Sequence, residues 1–359
     1  MDVNKQELNS EQTIEGLVEL SDKEIERYSV KPNDLFFTRT SETSDEIGLT
    51  SAYIGNSIKC VFSGFLLRAR PKVDLNSLFF AYYLRTPKQR NNIIKFSSIT
   101  TRALISGGNL SKMKINLPSI DEQNKIANLF VIIDKKVKLL EKKYQEYQDF
   151  KKYLMQQIFA QKLRFNFDEE WVEIKLRDIG TFYRGHSYNS GNVVDNGLLV
   201  LRSNNIQDNA LDFSDSELQF VNKDCKKELE LQKNDIVICM SNGTRSLVGK
   251  SAQYLGNYNK KLTVGAFCSI FRTNNILAKY LFQTELYRKN LYLILAGTNI
   301  NNLKNSDLEK FKFKIPNNKT ETKKIHDLFS SVDMNIENIK NQLNEIKLFK
   351  KSLLQQMFV

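Results

Sequence analysis

The 359-residue sequence is poor in the residues that metal and redox chemistry use. It has two histidines, His186 and His326, and four cysteines, Cys60, Cys225, Cys239 and Cys268. No two cysteines stand in C-x-x-C spacing, and H-E-x-x-H does not occur. Neither a zinc site nor a disulfide framework is expected, and the thiols are expected to be buried and free. His326 near the start of a helical segment reads as structural or surface; His186, in FYRGHSYNSG, as a loop residue with or without a contact to a partner. A Gly-x-Ser-x-Gly elbow is missing, and so is a glycine-rich dinucleotide fingerprint after a strand. The segment GTRSLVGKS (243–251) ends like a phosphate-binding loop. Five residues separate its glycines where four are needed, and AQYLGN follows in place of a helix. No apolar run approaches the ~18 residues of a membrane helix. The N-terminal MDVNKQELNSEQTIEG is too polar for a signal peptide. These absences predict a cytoplasmic, non-catalytic chain with no metal and no cofactor of its own.

What is present is bulk and charge. Hydrophobic residues make up 41%, with 23 Phe and 14 Tyr, so packed cores are affordable, and the net charge is +12. Net charge alone suits a merely soluble surface as well as a nucleic-acid partner. Its distribution favours the partner. Residues 1–30 carry three Lys/Arg against eight Asp/Glu, and 31–117 carry thirteen against five. Residues 203–232 carry three against seven, and 233–315 thirteen against four.

That double profile belongs to an internal repeat. At an offset of 201, GLTSAYIGN (48–56) lies on GKSAQYLGN (249–257), and Asn33-Asp34 on Asn234-Asp235. LSKMKINLP (110–118) lies on LEKFKFKIP (308–316), and FKKYLMQQIF (150–159) on FKKSLLQQMF (349–358). The period of about 200 residues marks a duplicated domain, not a solenoid. After Pro118 and Pro316 come two segments of roughly 40 residues with 4–3 apolar spacing, each about 60 Å long as a helix. Their seams contain Phe130, Ile133, Val137, Leu140 and Tyr144, and Phe329, Val332, Ile336, Ile339 and Leu343. Each seam has one gap, at Lys151 and at Lys350. The seams are expected to pack on each other, antiparallel because a whole domain separates them. Lys135, Lys136, Lys138, Lys142 and Lys143 form either a solvated face or a docking face.

The halves mix strand-like runs (NDLFFTR, NDIVICM, then 64–67 and 265–268) with helix-like ones (78–86, 276–291). The predicted class is α+β: two globular domains alternating with two long antiparallel coiled-coil helices. The boundaries are 1–117, 118–164, 165–315 and 316–359. Polar loops follow corresponding strands. In the second half SNGTRSLVGKS offers Ser241, Asn242, Thr244, Arg245 and Lys250. LRSNN offers Arg202, Asn204 and Asn205, and AGTNINN offers Thr298 and Asn299. In the first half Thr38, Arg39 and Ser41 take the corresponding place, with Arg102 further on. These types serve phosphate and base-edge contacts: Arg245 suits guanine, Asn242 adenine, and Lys260 and Lys261 phosphates. Each residue also fits an ordinary polar loop. The recurrence of the loop with different residues favours two readers of different sequences.

The stretches WVEIKLRDIGTFYRG (171–185) and NDIVICMSNGT…VGKSA carry a family resemblance, together with the junctions LPSIDEQNKIANLF (117–130) and IPNNKTETKKIHDLF (315–329). The chain resembles the specificity subunit of a type I restriction-modification system over essentially its whole length. The Pro118-to-Ile126 junction is the more specific; in the second, Glu321 remains and Thr322 replaces Gln. The resemblance implies two target-recognition domains reading a bipartite double-stranded DNA sequence, with the helices as a ruler. It implies two methyltransferase subunits and added restriction subunits as partners. S-adenosylmethionine, ATP and Mg would then reside on those partners. Position 1 aligns near Arg202, so the first domain is expected to be N-terminally incomplete. The competing expectation is a non-catalytic coiled-coil scaffold with only non-specific DNA affinity.

Overall fold

The computed structural model describes residues 3, 6–56, 59–99, 101–297 and 301–358. The chain divides into two units, Met1–Tyr144 with Asn338–Val359, and Gln145–Glu337. Both are mixed helix and sheet.

In the first unit, β1 (Leu8–Asn9), β2 (Leu35–Thr38), β3 (Thr50–Tyr53) and β4 (Leu66–Ala69) form a sheet of order β1-β3-β2-β4. Only the β1–β3 pair is parallel. The period of two in β2 sorts its side chains. Leu35 and Phe37 join a core with α1 (Ser77–Leu84) and α2 (Pro87–Lys95), through Ala81, Leu84 and Ile93. Phe36 faces the other way, with Val30 and Tyr53. The run before β2 turns at Asn33, whose φ of 67° is one that Asn tolerates. Asp34 follows, fully buried and bridged to Arg70 at 2.7 Å.

The second unit repeats this plan and adds a layer. Its central sheet runs Ser251–Gln253, Ile236–Cys239, Cys268–Thr273, Gly180–Arg184, all antiparallel. Ile236 and Ile238 face the helices with Leu281, Leu291 and Leu308. Val237 and Cys239 face a second sheet through Leu199, Leu201 and Val264. That second sheet contains Leu198–Leu201 paired in parallel with Leu262–Val264. Asn234 and Asp235 reproduce the turn, with φ of 76° and a 2.7 Å bridge to Arg272. The helix-like run 276–291 is two helices, Ala278–Leu281 and Glu285–Ala296, because Thr284 caps the second through Tyr287 N–H. The strands expected at 64–67 and 265–268 begin later, at Leu66 and Cys268. In the second unit, Phe267 spends its carbonyl on Met240 and Ser241.

The two seams are continuous helices, Ile120–Phe159 and Lys319–Met357. In the first unit Phe130 stacks on Phe358 (centroids 5.8 Å), while Glu141 meets Lys347 at 2.7 Å. Numbers rise on one helix as they fall on the other, so the pairing is antiparallel. In the second unit Phe159 stacks on Phe329 at 5.9 Å and Lys151 meets Asp333 at 2.7 Å, again antiparallel. Phe130, Ile133, Leu140, Phe329, Val332 and Ile339 are buried, and Val137, Tyr144, Ile336 and Leu343 are half-buried. Glu321 departs from its sequence alignment with Glu122. Glu122 is exposed, whereas Glu321 is fully buried and accepts from Arg164 at 2.9 and 3.0 Å and from Trp171 Nε1 at 3.1 Å.

Candidate nucleic-acid interface

Three polar segments converge at one end of the central sheet in the second unit. The loop after Ile236–Cys239 is closed at its base, where Gly249 N–H donates to the Cys239 carbonyl (2.7 Å) and Cys239 N–H to the Lys250 carbonyl (2.9 Å). Gly249 has φ of 78°, and a Cβ there would stand 2.2 Å from Leu291, so only glycine fits. The Tyr287 hydroxyl donates to the Gly249 carbonyl (2.9 Å) and Arg288 to that of Val248 (3.3 Å). Residues 301–303 run alongside the loop: Leu303 N–H donates to the Met240 carbonyl at 2.7 Å, and Asn301 Nδ2 to that of Gly243 at 3.0 Å. The third segment arrives through Asn242, whose Nδ2 reaches Ser203 Oγ at 3.3 Å.

The predicted readers separate into outward and inward groups. Thr244 and Arg245 are exposed at the loop tip. Arg245 also braces it, donating to the Leu295 carbonyl (2.6 Å) and to Asn301 Oδ1 (3.3 Å). Asn242, half-buried like Ser241 and Lys250, accepts from Thr244 N–H at 2.9 Å, so both ends of its amide serve the loop. Asn205 is fully buried and saturated, which corrects its expected place at a surface. Its Oδ1 accepts from Arg202 N–H (2.8 Å), and its Nδ2 donates to the carbonyls of Asp212 (3.1 Å) and Glu217 (3.2 Å). Asn204 donates to the Glu217 carboxylate, and Arg202 to the Glu217 carbonyl at 3.3 Å. Lys260 and Lys261 are exposed but stand before Leu262–Val264, at the end of the parallel pair away from Arg202. Lys261 is paired with Glu230 at 2.8 Å. Thr298 and Asn299 lie outside the described residues. His186 is buried, and its pKa lies below the ordinary imidazole value through burial and the nearby Lys223 charge.

The first unit builds the same frame with other residues at its tip. A 3-10 turn at Ser44–Glu46 answers the one at Arg245–Leu247. Gly48, with φ of 63°, packs so that a Cβ would meet Ile93 at 2.4 Å. Arg90 of α2 donates to the carbonyls of Asp45 (3.0 Å) and Ile47. Burial and the neighbouring Arg85 lower the Arg90 pKa to about 10, against the pull of Asp45. Arg39 and Arg102 are exposed, Arg102 beside Glu42 at 3.8 Å. Thr38 is fully buried inside β2, and Ser41 is buried with its hydroxyl donated to Glu46 at 3.0 Å. Neither is presented to a partner in this conformation. The bracing arginines Arg90 and Arg288 escaped the sequence reading, although they sit 198 residues apart, the offset of the adjoining repeat.

Among the described residues, no group of three or more His, Cys, Asp or Glu side chains is placed to hold a metal ion. No helix there is long and apolar enough to cross a membrane.

Known proteins resemble the chain in sequence and in fold. The profile of a family described as "Type I restriction modification DNA specificity domain" matches residues 5–148 and 168–348. The type I restriction enzyme EcoKI specificity subunit of Escherichia coli (strain K12) is 30% identical over 198 residues, 52% of this chain and 42% of that protein. The StySPI specificity subunit of Salmonella potsdam is 29% identical over 198 residues, with the same coverages. The match thus spans under half the length of these curated relatives. The MjaVIII specificity subunit of Methanocaldococcus jannaschii is 21% identical over 360 residues, covering 94% of this chain and 80% of that one. In fold, the crystal structure of a type I restriction-modification S subunit from M. genitalium aligns with a TM-score of 0.60 at 16% identity, over 100% of this chain and 90% of that one.

Proposed function

The chain belongs to the type I restriction modification DNA specificity domain family, and on that premise we propose that it is a non-catalytic, cytoplasmic subunit that reads a bipartite double-stranded DNA sequence. The observation that carries the reading is the repeated loop frame. Two basic domains brace the loop after the same strand in the same way, yet differ at its tip: Arg245 is exposed in one where Ser44 stands in the other, and the other exposes Arg39 and Arg102 nearby. Such side chains suit base edges and phosphates in a groove. The recognition domains are residues 1–117 and 165–315, and the helical regions 118–164 and 316–359. Arg202, Ser241, Asn242, Asn204 and Lys250 stand behind the tip as supports or backbone contacts. Thr298 and Asn299 remain candidates from the sequence. Lys260 and Lys261 are candidates for phosphate contact away from the tip.

The helices scaffold the partners. These are two methyltransferase subunits, which carry S-adenosylmethionine, and restriction subunits, which carry ATP and Mg. The test is methylome sequencing of the host with and without this gene. Disappearance of one split methylation motif is the expected result. An unchanged methylome in a strain that expresses the protein overturns the proposal.

A further inference from the structure

The two lysines that interrupt the heptad seams are not surface residues. In the second unit Lys151 has a side chain only 14% exposed. Its Nζ stands 2.7 Å from Asp333 on the facing helix and 5.7 Å from the ring centroid of Tyr280. The Tyr280 hydroxyl donates to the same carboxylate at 3.1 Å, and Lys279 approaches it at 3.4 Å. Gln283 accepts from Lys151 at 2.7 Å. In the first unit Lys350, 17% exposed, stands 2.6 Å from Asp134 and 5.3 Å from the Tyr82 ring centroid. The Tyr82 hydroxyl donates to Asp134 at 2.6 Å, and Glu7 adds a second carboxylate at 3.1 Å. Each node joins three elements: a lysine from one long helix, an aspartate from the other, and a tyrosine from the globular part of that unit. Tyr82 and Tyr280 are 1% and 0% exposed.

Buried charges are costly to desolvate, and an apolar seam of similar volume is often as stable or more so. What a polar seam residue supplies is register. The rest of each seam is aliphatic or aromatic, and a slide of seven residues would bring apolar positions to apolar positions again. The lysines do not permit this. A slide one way sets Lys151 opposite position 326, a histidine, and Lys350 opposite position 127, an alanine. A slide the other way sets Lys151 opposite position 340, another lysine. Each alternative leaves at least one lysine without a carboxylate, and a buried charge stripped of its partner is strongly disfavoured.

We infer that the two Lys–Asp–Tyr nodes are positioning devices that select one antiparallel register of the long helices and dock each globular part onto that register. The test uses disulfide cross-linking in the full chain. The pair Glu141→Cys with Lys347→Cys reports the observed register, since their side-chain charges meet across the two helices, Nζ to Oε1 at 2.7 Å. The pair Glu141→Cys with Lys340→Cys reports a seven-residue slide. Peptide mapping separates these links from any at the native cysteines. In the parent, only the first pair links. The neutral variant Lys151→Met, Asp333→Asn, Lys350→Met, Asp134→Asn keeps an acceptor for each tyrosine. In it, linkage of the second pair rises about tenfold or more, the ratio held back by about 1.4 kcal/mol of preference. Restoring Lys151 and Asp333 alone returns linkage to the first pair. The inference is overturned if the folded neutral variant still links only the first pair. It is equally overturned if that variant loses its helical circular dichroism, because the nodes would then support stability and not register. No DNA enters the readout, so failure here leaves the recognition proposal standing.

Discussion

Replacing Asn205 by Ala separates a brace from a reader. The side chain makes three hydrogen bonds, one from the Arg202 N–H and two to the carbonyls of Asp212 and Glu217. It thereby ties the 203–205 turn to the end of the strand Ala210–Leu211 and to the 3-10 turn Asp215–Glu217. A net value of about 1 kcal/mol per bond gives a loss of about 3 kcal/mol. For a unit of this size that corresponds to a fall in Tm of roughly 6–12 °C. Asn205→Asp retains the acceptor and loses both donors, so its cost should exceed half that of Ala. Thermal and urea unfolding of the full chain measure both. Binding titrations of the assembled complex, against the target and its single-base variants, complete the assay. The expected pattern is reduced stability with sequence choice unchanged. Unaltered unfolding combined with relaxed choice at one base pair would refute the reasoning and make Asn205 a reader despite its burial.

Arg245→Ala should act the other way. It loses one part-buried and one exposed bracing bond, so unfolding changes by about 1 kcal/mol, while discrimination at one base pair falls by about 1–3 kcal/mol in the same titrations; a uniform loss over all sequences marks it as a phosphate contact or pure brace. Asp235→Ala strips a bidentate partner from Arg272, 22% exposed, whereas Asp34→Ala strips one from Arg70, 40% exposed. Urea unfolding should show a loss of about 3 kcal/mol in the first and clearly less in the second. Equal losses would mean that solvent screening of the arginine is not what sets the cost. Deleting one heptad from each long helix shortens each by about 10.5 Å, which should reduce the spacer of the methylated target by about three base pairs at 3.4 Å each; methylation of spacer-length series reads this directly.

The repeat and the seams were legible because each is a local pattern with a fixed period. The two faces of the central strand were not, because Ile236 to Cys239 is apolar throughout and only the packing sends Ile236 and Ile238 one way and Val237 and Cys239 the other. The seam lysines looked like defects because their partners lie elsewhere. Lys151 meets Asp333, and Lys350 meets Asp134, each across a separation that no periodicity spans. Glu321 misled for the same reason: its burial depends on Arg164 and Trp171. In the loops the difficulty was chemical. Arg, Asn, Ser and Thr serve a base edge and a backbone carbonyl equally well, so residue type could not tell Asn205 and Thr38 from Thr244 and Arg39. Burial tells them apart.

The repeat then shows a division within each domain. Part of the frame keeps its residue type across the two halves, as Arg90 and Arg288 do, and Gly48 and Gly249. The tip is less constant: Thr43 and Thr244 are alike, but Arg245 corresponds to Ser44, and the exposed Arg39 corresponds to the buried Met240. A frame under the same packing constraints in both halves leaves its tip free to differ, because a tip side chain in solvent changes no core contact. The proposed reading of two unlike half-sites requires that freedom, and a shared scaffold role would give the tips no reason to diverge while the frame stayed fixed.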